Sequence, residues 1–351
     1  MAARMQRESK LNSIGWWRSK SKVTAVHDNL ILKMQVLITA FPFGTSKSCL
    51  DLLRAAGLQY RSNPFNRRLT EQELIELIPP ASILIGGTEP ITAKTMEAAP
   101  ELRLIARVGI GLDNVDCKAA RARGITVTYT PDAPAPAVAE FTIGLMIDLL
   151  RHASRADRMM HFKRWHRFLG RRLDGLTVGV VGAGRIGKRV IRILRGGFPG
   201  VSILANDIEP DLAFGKQFDV RWTEKSELFA VSDIITLHVP LTGLTRRLIT
   251  KPELQTMKPS AVIINTARGE IIDEDALAAA LSSGRLAGAA IDVFADEPYS
   301  GILSGIEQCI LTCHMGSMSE DCRAAMEIEA VEDVLRFVRG EPVKQRVPEP
   351  E

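Results

Sequence analysis

Val178-Gly179-Val180-Val181-Gly182-Ala183-Gly184-Arg185-Ile186-Gly187, with Asp207 behind it, is the stretch that decides the fold. An apolar β run ends in a glycine turn, and a helical pattern starts at once. Gly182, Gly184 and Gly187 keep the G-x-G-x-x-G spacing. Gly182 allows a tight turn off the strand. Gly184, lacking a Cβ, lets a pyrophosphate approach the backbone, and Gly187 lets the helix pack closely on the sheet. The helix N-terminus adds free N–H groups and a positive dipole end. Twenty residues past Gly187, Asp207 closes a second apolar run, residues 201–206, where its carboxylate can accept hydrogen bonds from a ribose diol. Ile208, Glu209 and Pro210 follow, with no arginine to meet a 2′-phosphate, so the pattern favours NAD over NADP as cofactor.

Outward from this motif, short β runs alternate with helical patterns, which implies a parallel α/β architecture. Strands are expected at residues 36–39, 83–85, 104–108 and 125–129. A second series is expected at 177–182, 201–207, 234–239, 261–265, 289–293 and 311–312. Thr70-Glu71-Gln72-Glu73 reads as a capped helix start. Further helices are expected at 47–56, 92–98, 138–150 and 320–339. Pro131, Pro134 and Pro136 fall within six residues and read as a stiff linker and first hinge. The expected fold class is therefore α/β, two doubly wound parallel-sheet domains of Rossmann and flavodoxin-like type with a cleft between them. The substrate domain would be discontinuous, residues 34–132 plus 317–351, and the NAD domain would be residues 133–316.

Bulk properties narrow the function. The chain has 351 residues, enough for about two domains. Apolar content is 46% and charged content 25%, ordinary for a soluble globular protein. There is no run of 18 apolar residues, so no transmembrane helix and no membrane partner are expected. The net charge of +4 comes from residues 1–33, which hold seven basic and two acidic residues; the remainder has 38 basic and 39 acidic. A neutral body does not imply nucleic acid as a partner. Residues 1–33 lack a long apolar core and so are no secretory signal. A disordered tail, an early start codon and a transit-like presequence all fit them. Met34 directly precedes the first strand. The five cysteines, Cys49, Cys117, Cys309, Cys313 and Cys322, include no C-x-x-C and suggest reduced thiols in a cytoplasmic protein. Cys309, Cys313 and His314 lack the second half of a zinc site, so no metal is expected.

Ligands of open α/β sheets sit at the carboxyl ends of strands. Arg268 follows one such strand, Glu297 the next and His314 the last. An arginine can hold a carboxylate bidentately and polarise a carbonyl. A histidine can take a hydroxyl proton as hydride leaves, and a glutamate beside it orients the ring and favours its charged form. His238, at another strand end, has similar local surroundings, but His314 lies beside Gly316 and Ser317 near the second expected hinge.

In order and spacing, GAGRIG (182–187), NTARGEIID (265–273), DVFADEP (292–298), CHMGS (313–317), RVGIGLDNVD (107–116) and LHVPLT (237–242) resemble the D-isomer-specific 2-hydroxyacid dehydrogenases. The resemblance covers residues 34–340 and is nearest to the shorter form of the 3-phosphoglycerate dehydrogenase group. It implies an Arg–Glu–His catalytic set at Arg268, Glu297 and His314. It implies NAD contacts at Gly182, Gly184, Arg185, Ile186, Gly187, Asp207, Pro240, Thr266, Ala267, Asp292 and Gly316. On the substrate side it implies Arg107, the backbone N–H groups of Ile110 and Gly111, and Arg268. It also implies a homodimer formed through the NAD domains, with residues 138–150 and the segment near Trp165 as contacts.

Two departures bear on the substrate, a small 2-hydroxy or 2-oxo acid. Where the phosphoglycerate group often has an arginine after the 83–85 strand, this chain has Gly86-Gly87-Thr88-Glu89-Pro90. One anion contact is thereby lost, and Arg67 and Arg68 are the candidates to replace it. Arg107 reads equally as a phosphate contact or as a core-edge salt bridge. The second departure is Cys313 in place of the family's usual proline before the histidine. The expected substrate is 3-phosphoglycerate, or else hydroxypyruvate, glyoxylate or another 2-oxo acid. An NADH-sensing protein of the corepressor type is the alternative from another class. No serine-sensing C-terminal domain is expected.

Overall fold

The computed structural model describes residues 34–45 and 47–348. The expectations for residues 1–33 and for the tail Glu349-Pro350-Glu351 lie outside them. The chain forms two compact units. One comprises residues up to Pro131 and from Arg323 onward, the other Asp132–Cys322. The changeovers fall at 131/132 and 322/323, beside the expected 132/133 and 316/317.

The first unit is a five-stranded parallel sheet built from β1 (Gln35–Ile38), β2 (Gln59–Ser62), β3 (Ile83–Gly86), β4 (Leu104–Arg107) and β5 (Thr126–Tyr129). Its spatial order is β2-β1-β3-β4-β5, so connections reverse direction between β1 and β3. β3 and β4 are buried along their whole length. Such continuous apolar runs mark parallel strands covered on both faces. Thr70 and Glu73 form the expected capping box at the start of the helix Glu71–Leu77. The second unit is a seven-stranded parallel sheet of β6 (Thr177–Val181), β7 (Ser202–Asn206), β8 (Val220–Trp222), β9 (Ile234–Leu237), β10 (Val262–Asn265), β11 (Gly288–Ile291) and β12 (Cys309–Leu311). Its order, β12-β11-β10-β9-β6-β7-β8, reverses between β6 and β9. Both are doubly wound sheets.

Three local features differ from the sequence reading. β2 and β8 are absent from it, because edge strands such as Gln59-Tyr60-Arg61-Ser62 carry no apolar run. The proline-rich stretch is only partly a linker. Pro134 is the N-cap of a helix, Ala135–Arg151, that begins three residues before the expected 138–150, with Pro136 in its first turn. Proline tolerates the first turn, where its missing N–H is not needed.

The helix Glu320–Val338 belongs to the first unit from Arg323 onward. Its fully buried Glu327 accepts hydrogen bonds from Gly44 N–H (2.9 Å), the Thr45 hydroxyl (2.9 Å) and the Cys49 thiol (3.4 Å). Asp333 accepts from the N–H groups of Lys344 (2.6 Å) and Gln345 (3.1 Å). That lays residues 345–347 along β5, where Tyr129 N–H donates to Gln345 O (3.1 Å) and Val347 N–H to Val127 O (2.9 Å). The sheet edge is thereby covered.

Candidate active site

In a doubly wound sheet the ligand crevice opens where the strand order reverses. In the second unit this is the β6/β9 junction. Gly182 has φ +90°, and a Cβ there would lie 2.7 Å from the carbonyl carbon and oxygen of His238 at the end of β9. Only glycine makes this turn. A Cβ on Gly187 would run into the Gly182 carbonyl oxygen, so the helix Arg185–Gly197 sits hard against the turn. Around Gly184, in contrast, nothing lies within 4 Å of where a Cβ would be. The Lys188 N–H closes a helical bond on Gly184 O (3.1 Å), which leaves the N–H groups of Arg185, Ile186 and Gly187 ahead of it. Asp207, past the end of β7, accepts from Ala183 N–H (2.7 Å) and Glu209 N–H (3.1 Å), so its carboxylate is pinned against the turn. Arg185 Nε donates to Asp132 (2.8 Å). An open glycine cradle, forward-facing N–H groups and a fixed carboxylate fit the pyrophosphate and ribose of a dinucleotide.

The next three strands of the same sheet bring the expected catalytic residues to their carboxyl ends. After β10, Asn265 accepts from Ala267 N–H (3.0 Å) and donates to Arg268 O (2.8 Å). This tight loop fixes the backbone from which Arg268 projects, half-buried, with one terminal nitrogen on Ala267 O (2.6 Å). After β11 comes Glu297, and after β12 His314. The His314 Nδ1 lies 2.9 and 3.1 Å from the two Glu297 carboxylate oxygens. With Nδ1–H donated to the carboxylate, Nε2 carries the lone pair and is the nitrogen that can exchange a proton with a ligand. His314 has φ +52°, a left-handed conformation that a histidine adopts only when its surroundings hold it there.

Asp292, at the end of β11, supplies that hold. Its backbone O accepts from His314 N–H (2.7 Å). Its carboxylate accepts from the Thr312 hydroxyl (2.6 Å), Met315 N–H (2.9 Å) and Gly316 N–H (2.9 Å). Burial pushes this carboxyl up from its ordinary range, against the opposing pull of those hydrogen bonds. The sequence reading set Asp292 and Gly316 beside the cofactor; the structure joins them to each other and makes Asp292 the anchor of the histidine loop. That partnership spans 20 residues or more and has no local signature.

Residues 143–316 match the family model "D-isomer specific 2-hydroxyacid dehydrogenase, NAD binding domain". A hydroxypyruvate reductase of Thermotoga maritima is 36% identical over 279 residues, 77% of this chain and 89% of that one. A D-3-phosphoglycerate dehydrogenase of Methanocaldococcus jannaschii is 38% identical over 279 residues, 78% of this chain and 53% of that one. The chain belongs to the D-isomer specific 2-hydroxyacid dehydrogenase family. It spans about half the length of the phosphoglycerate dehydrogenases it matches. A crystal structure of a Thermus thermophilus protein shares the fold with a TM-score of 0.81 at 34% identity, covering 90% of this chain and all of that one.

The matched segment is an NAD-binding domain, and further expected residues lie past the ends of β9 and β10 in the same sheet. Thr266 is buried, with its hydroxyl 3.1 Å from that of Thr142, and Ala267 follows it. Pro240 lies past β9, and its carbonyl accepts from the Thr245 hydroxyl (2.5 Å). His238 is a different kind of histidine from His314. Its Nε2 is 2.9 Å from the Thr236 hydroxyl, its Nδ1 is buried without a partner among the described residues, and burial drives its pKa down to about 3. With its charged form disfavoured by burial, this ring is no proton carrier at physiological pH.

In the first unit, Ile110 and Gly111 follow β4 in a turn that starts with Gly109 at φ +141°. Gly109 N–H is bound to the Thr130 hydroxyl (2.8 Å), whereas the N–H groups of Ile110 and Gly111 have no partner among the described residues. Arg107 is only 6% exposed. Its Nε reaches Asn114 Oδ1 (3.4 Å), a terminal nitrogen bonds Val108 O, and the guanidinium lies over Gly109, where a Cβ would strike it. Arg67 is committed to both carboxylate oxygens of Glu73 (2.9 and 2.5 Å).

Proposed function

We propose that this protein is an NAD-dependent D-2-hydroxyacid dehydrogenase that works as a reductase of a small 2-oxo acid. The observation that carries the reading is the Glu297–His314 pair, past β11 and β12, the two strands that follow Arg268's β10 in the same sheet as the glycine turn. Gly182, Gly184, Arg185, Ile186, Gly187 and Asp207, flanked by Pro240, Thr266, Ala267, Asp292 and Gly316, would hold the cofactor, which in its reduced form, NADH, would supply the hydride that the carbonyl C2 accepts. Arg268 binds the substrate carboxylate and draws electron density onto the carbonyl oxygen. Protonated His314 delivers the Nε2 proton to that oxygen as the C2–H bond forms, and takes it back in the oxidation. Glu297 holds the ring and stabilises the imidazolium.

The test is NADH oxidation followed by absorbance with glyoxylate, hydroxypyruvate, 3-phosphohydroxypyruvate, pyruvate and a bulky 2-oxo acid. At least one should turn over, and His314→Ala should lose roughly a thousandfold in kcat with NADH binding near wild type. Wild-type turnover in His314→Ala would remove His314 from the mechanism. NADH binding without turnover of any acid would indicate an NADH sensor instead.

The working form is a homodimer. Ile147, Met160, Phe162, Trp165 and Leu169 are exposed large apolar side chains of the second unit, and a second copy would cover them. With none of the five cysteines in a disulfide, the cytoplasm is the compartment that suits the chain. No helix among the described residues is long and apolar enough to cross a membrane.

A further inference from the structure

Glu297 reaches His314 Nδ1 at 2.9 Å although it rides on an exposed loop: Ala295, Asp296 and Pro298 around it all face solvent. A charge-assisted hydrogen bond weakens as its partners drift out of line, so such a loop needs a fixed point. Phe294 N–H donates to Glu297 Oε1 (3.2 Å), which ties the carboxylate to its own loop. The next N–H, that of Ala295, donates to Glu274 Oε1 (3.0 Å), 21 residues back in the chain. Glu274 opens the helix Glu274–Ser282. The cap of that helix is supplied by Asp273, whose side chain accepts from Ala276 N–H (3.2 Å), so Glu274 is not spent on closing its own helix.

The peptide that Glu274 holds is also where two loops meet. Gly269 directly follows Arg268, and a Cβ there would run into the Phe294 carbonyl and the Ala295 nitrogen. The Arg268 loop and the Glu297 loop therefore rest on each other at the Phe294–Ala295 peptide. At the far end of the same segment, the Tyr299 ring stacks on that of Phe294, with centroids 4.0 Å apart and planes 16° from parallel. The Tyr299 hydroxyl accepts from Leu303 N–H (3.0 Å). Burial first, and then the Glu274 carboxylate beside it, hold the phenol above its ordinary range against the pull of that N–H. Glu274 thus meets both ends of the segment that carries Glu297.

We propose that Glu274 is a positioning residue for proton transfer: by holding the Ala295 N–H and bracing Tyr299, it pins the segment 295–299 against the Arg268 loop and keeps Glu297 on Nδ1 of His314. This rests on the reading of His314 as the proton donor of a 2-oxo acid reductase. Glu274 acts here through the reach of its oxygen, as a support for groups whose own geometry must be kept.

The experiment compares Glu274→Gln, Glu274→Asp and Glu274→Ala in the full chain. Glutamine keeps an accepting oxygen at the same reach and loses the charge; aspartate keeps the charge at the helix N-terminus and loses the reach. With NADH and whichever acid of the panel wild type reduces fastest, Glu274→Asp and Glu274→Ala should lose roughly tenfold in kcat with KM for NADH unchanged, and Glu274→Gln should stay within about twofold of wild type. The second readout is the downfield proton NMR resonance of the His314 Nδ1–H, assigned by its loss in His314→Ala. It should persist in Glu274→Gln and be lost or moved upfield in the other two. A residue that only stabilises its helix through charge gives the opposite order, with Glu274→Asp near wild type and Glu274→Gln impaired. That order, equal impairment of Glu274→Gln and Glu274→Ala, or no change in any variant overturns the proposal. Failure of the underlying reading looks different: no acid is reduced by wild type, and the resonance alone then decides whether Glu274 holds the Glu297–His314 bond.

Discussion

The β6/β9 and β1/β3 junctions are the same topological device put to opposite ends. Each lies where a parallel sheet reverses its winding, and each brings a glycine against the neighbouring strand end, Gly182 against His238 and Gly87 against Ala40. The β6/β9 junction is left open: the space beside Gly184 is clear and three N–H groups face forward. The β1/β3 junction is closed from within by Glu89, whose carboxylate accepts from Gly87 N–H (2.9 Å) and the Thr39 hydroxyl. Topology alone therefore names a crevice; the side chains decide whether it receives a ligand or substitutes for one.

The largest effect should come from the buried group at the open junction. His238 takes up a proton below about 6.5 when unfolded, but only near 3 when folded. Its contribution to stability is complete above 6.5 and is lost as pH falls towards 3, a change of about 4–5 kcal/mol. Urea unfolding across this range should be flatter in His238→Gln by about one proton. Equal slopes in the two proteins would mean that the ring is not held neutral.

Gly184→Val is next. The new side chain enters open space, so thermal stability should stay near wild type while NADH affinity falls about a hundredfold, ~2.8 kcal/mol. Gly187→Ala should do the reverse first, lowering stability by about 1–3 kcal/mol because its Cβ meets the Gly182 carbonyl. Calorimetry and NADH fluorescence titration separate the two. Undiminished NADH affinity in Gly184→Val would end the contrast, because the open junction would then not be the phosphate cradle.

The smallest effect concerns the closed junction. Glu89→Ala strands the Gly87 N–H and Thr39 hydroxyl, which should cost about 1–3 kcal/mol. Formate at high millimolar concentration should return part of the lost melting temperature in this variant and leave wild type unmoved. A variant indifferent to formate would show that the junction is not an anion position.

What was legible in the sequence follows the range of the contacts involved. The glycine turn and Asp207 are spaced by strand and helix geometry, so they could be read directly, as could the strand ends that carry Arg268, Glu297 and His314. The capping box of Thr70 and Glu73 is equally local. Other features depend on partners far along the chain. Glu89 bonds Thr39 at a separation of 50 residues, and the sequence suggested only that an arginine was missing there. The Asp292 anchor and the inward fold of Arg107 were hidden for the same reason, and the edge strands β2 and β8 because they carry no continuous apolar run. Pro134 and Pro136 misled in the other direction, because proline marks a helix start as readily as a linker.

The interleaving of the units also sets an order of birth on the ribosome. Residues 132–322 emerge whole and can collapse into the seven-stranded sheet while the first unit still lacks Glu327, Asp333 and the segment that runs along β5. At ordinary elongation rates that interval lasts about 10–40 s. Throughout it the nascent β5 edge is bare, and the earliest-made part of the protein is the last to be finished.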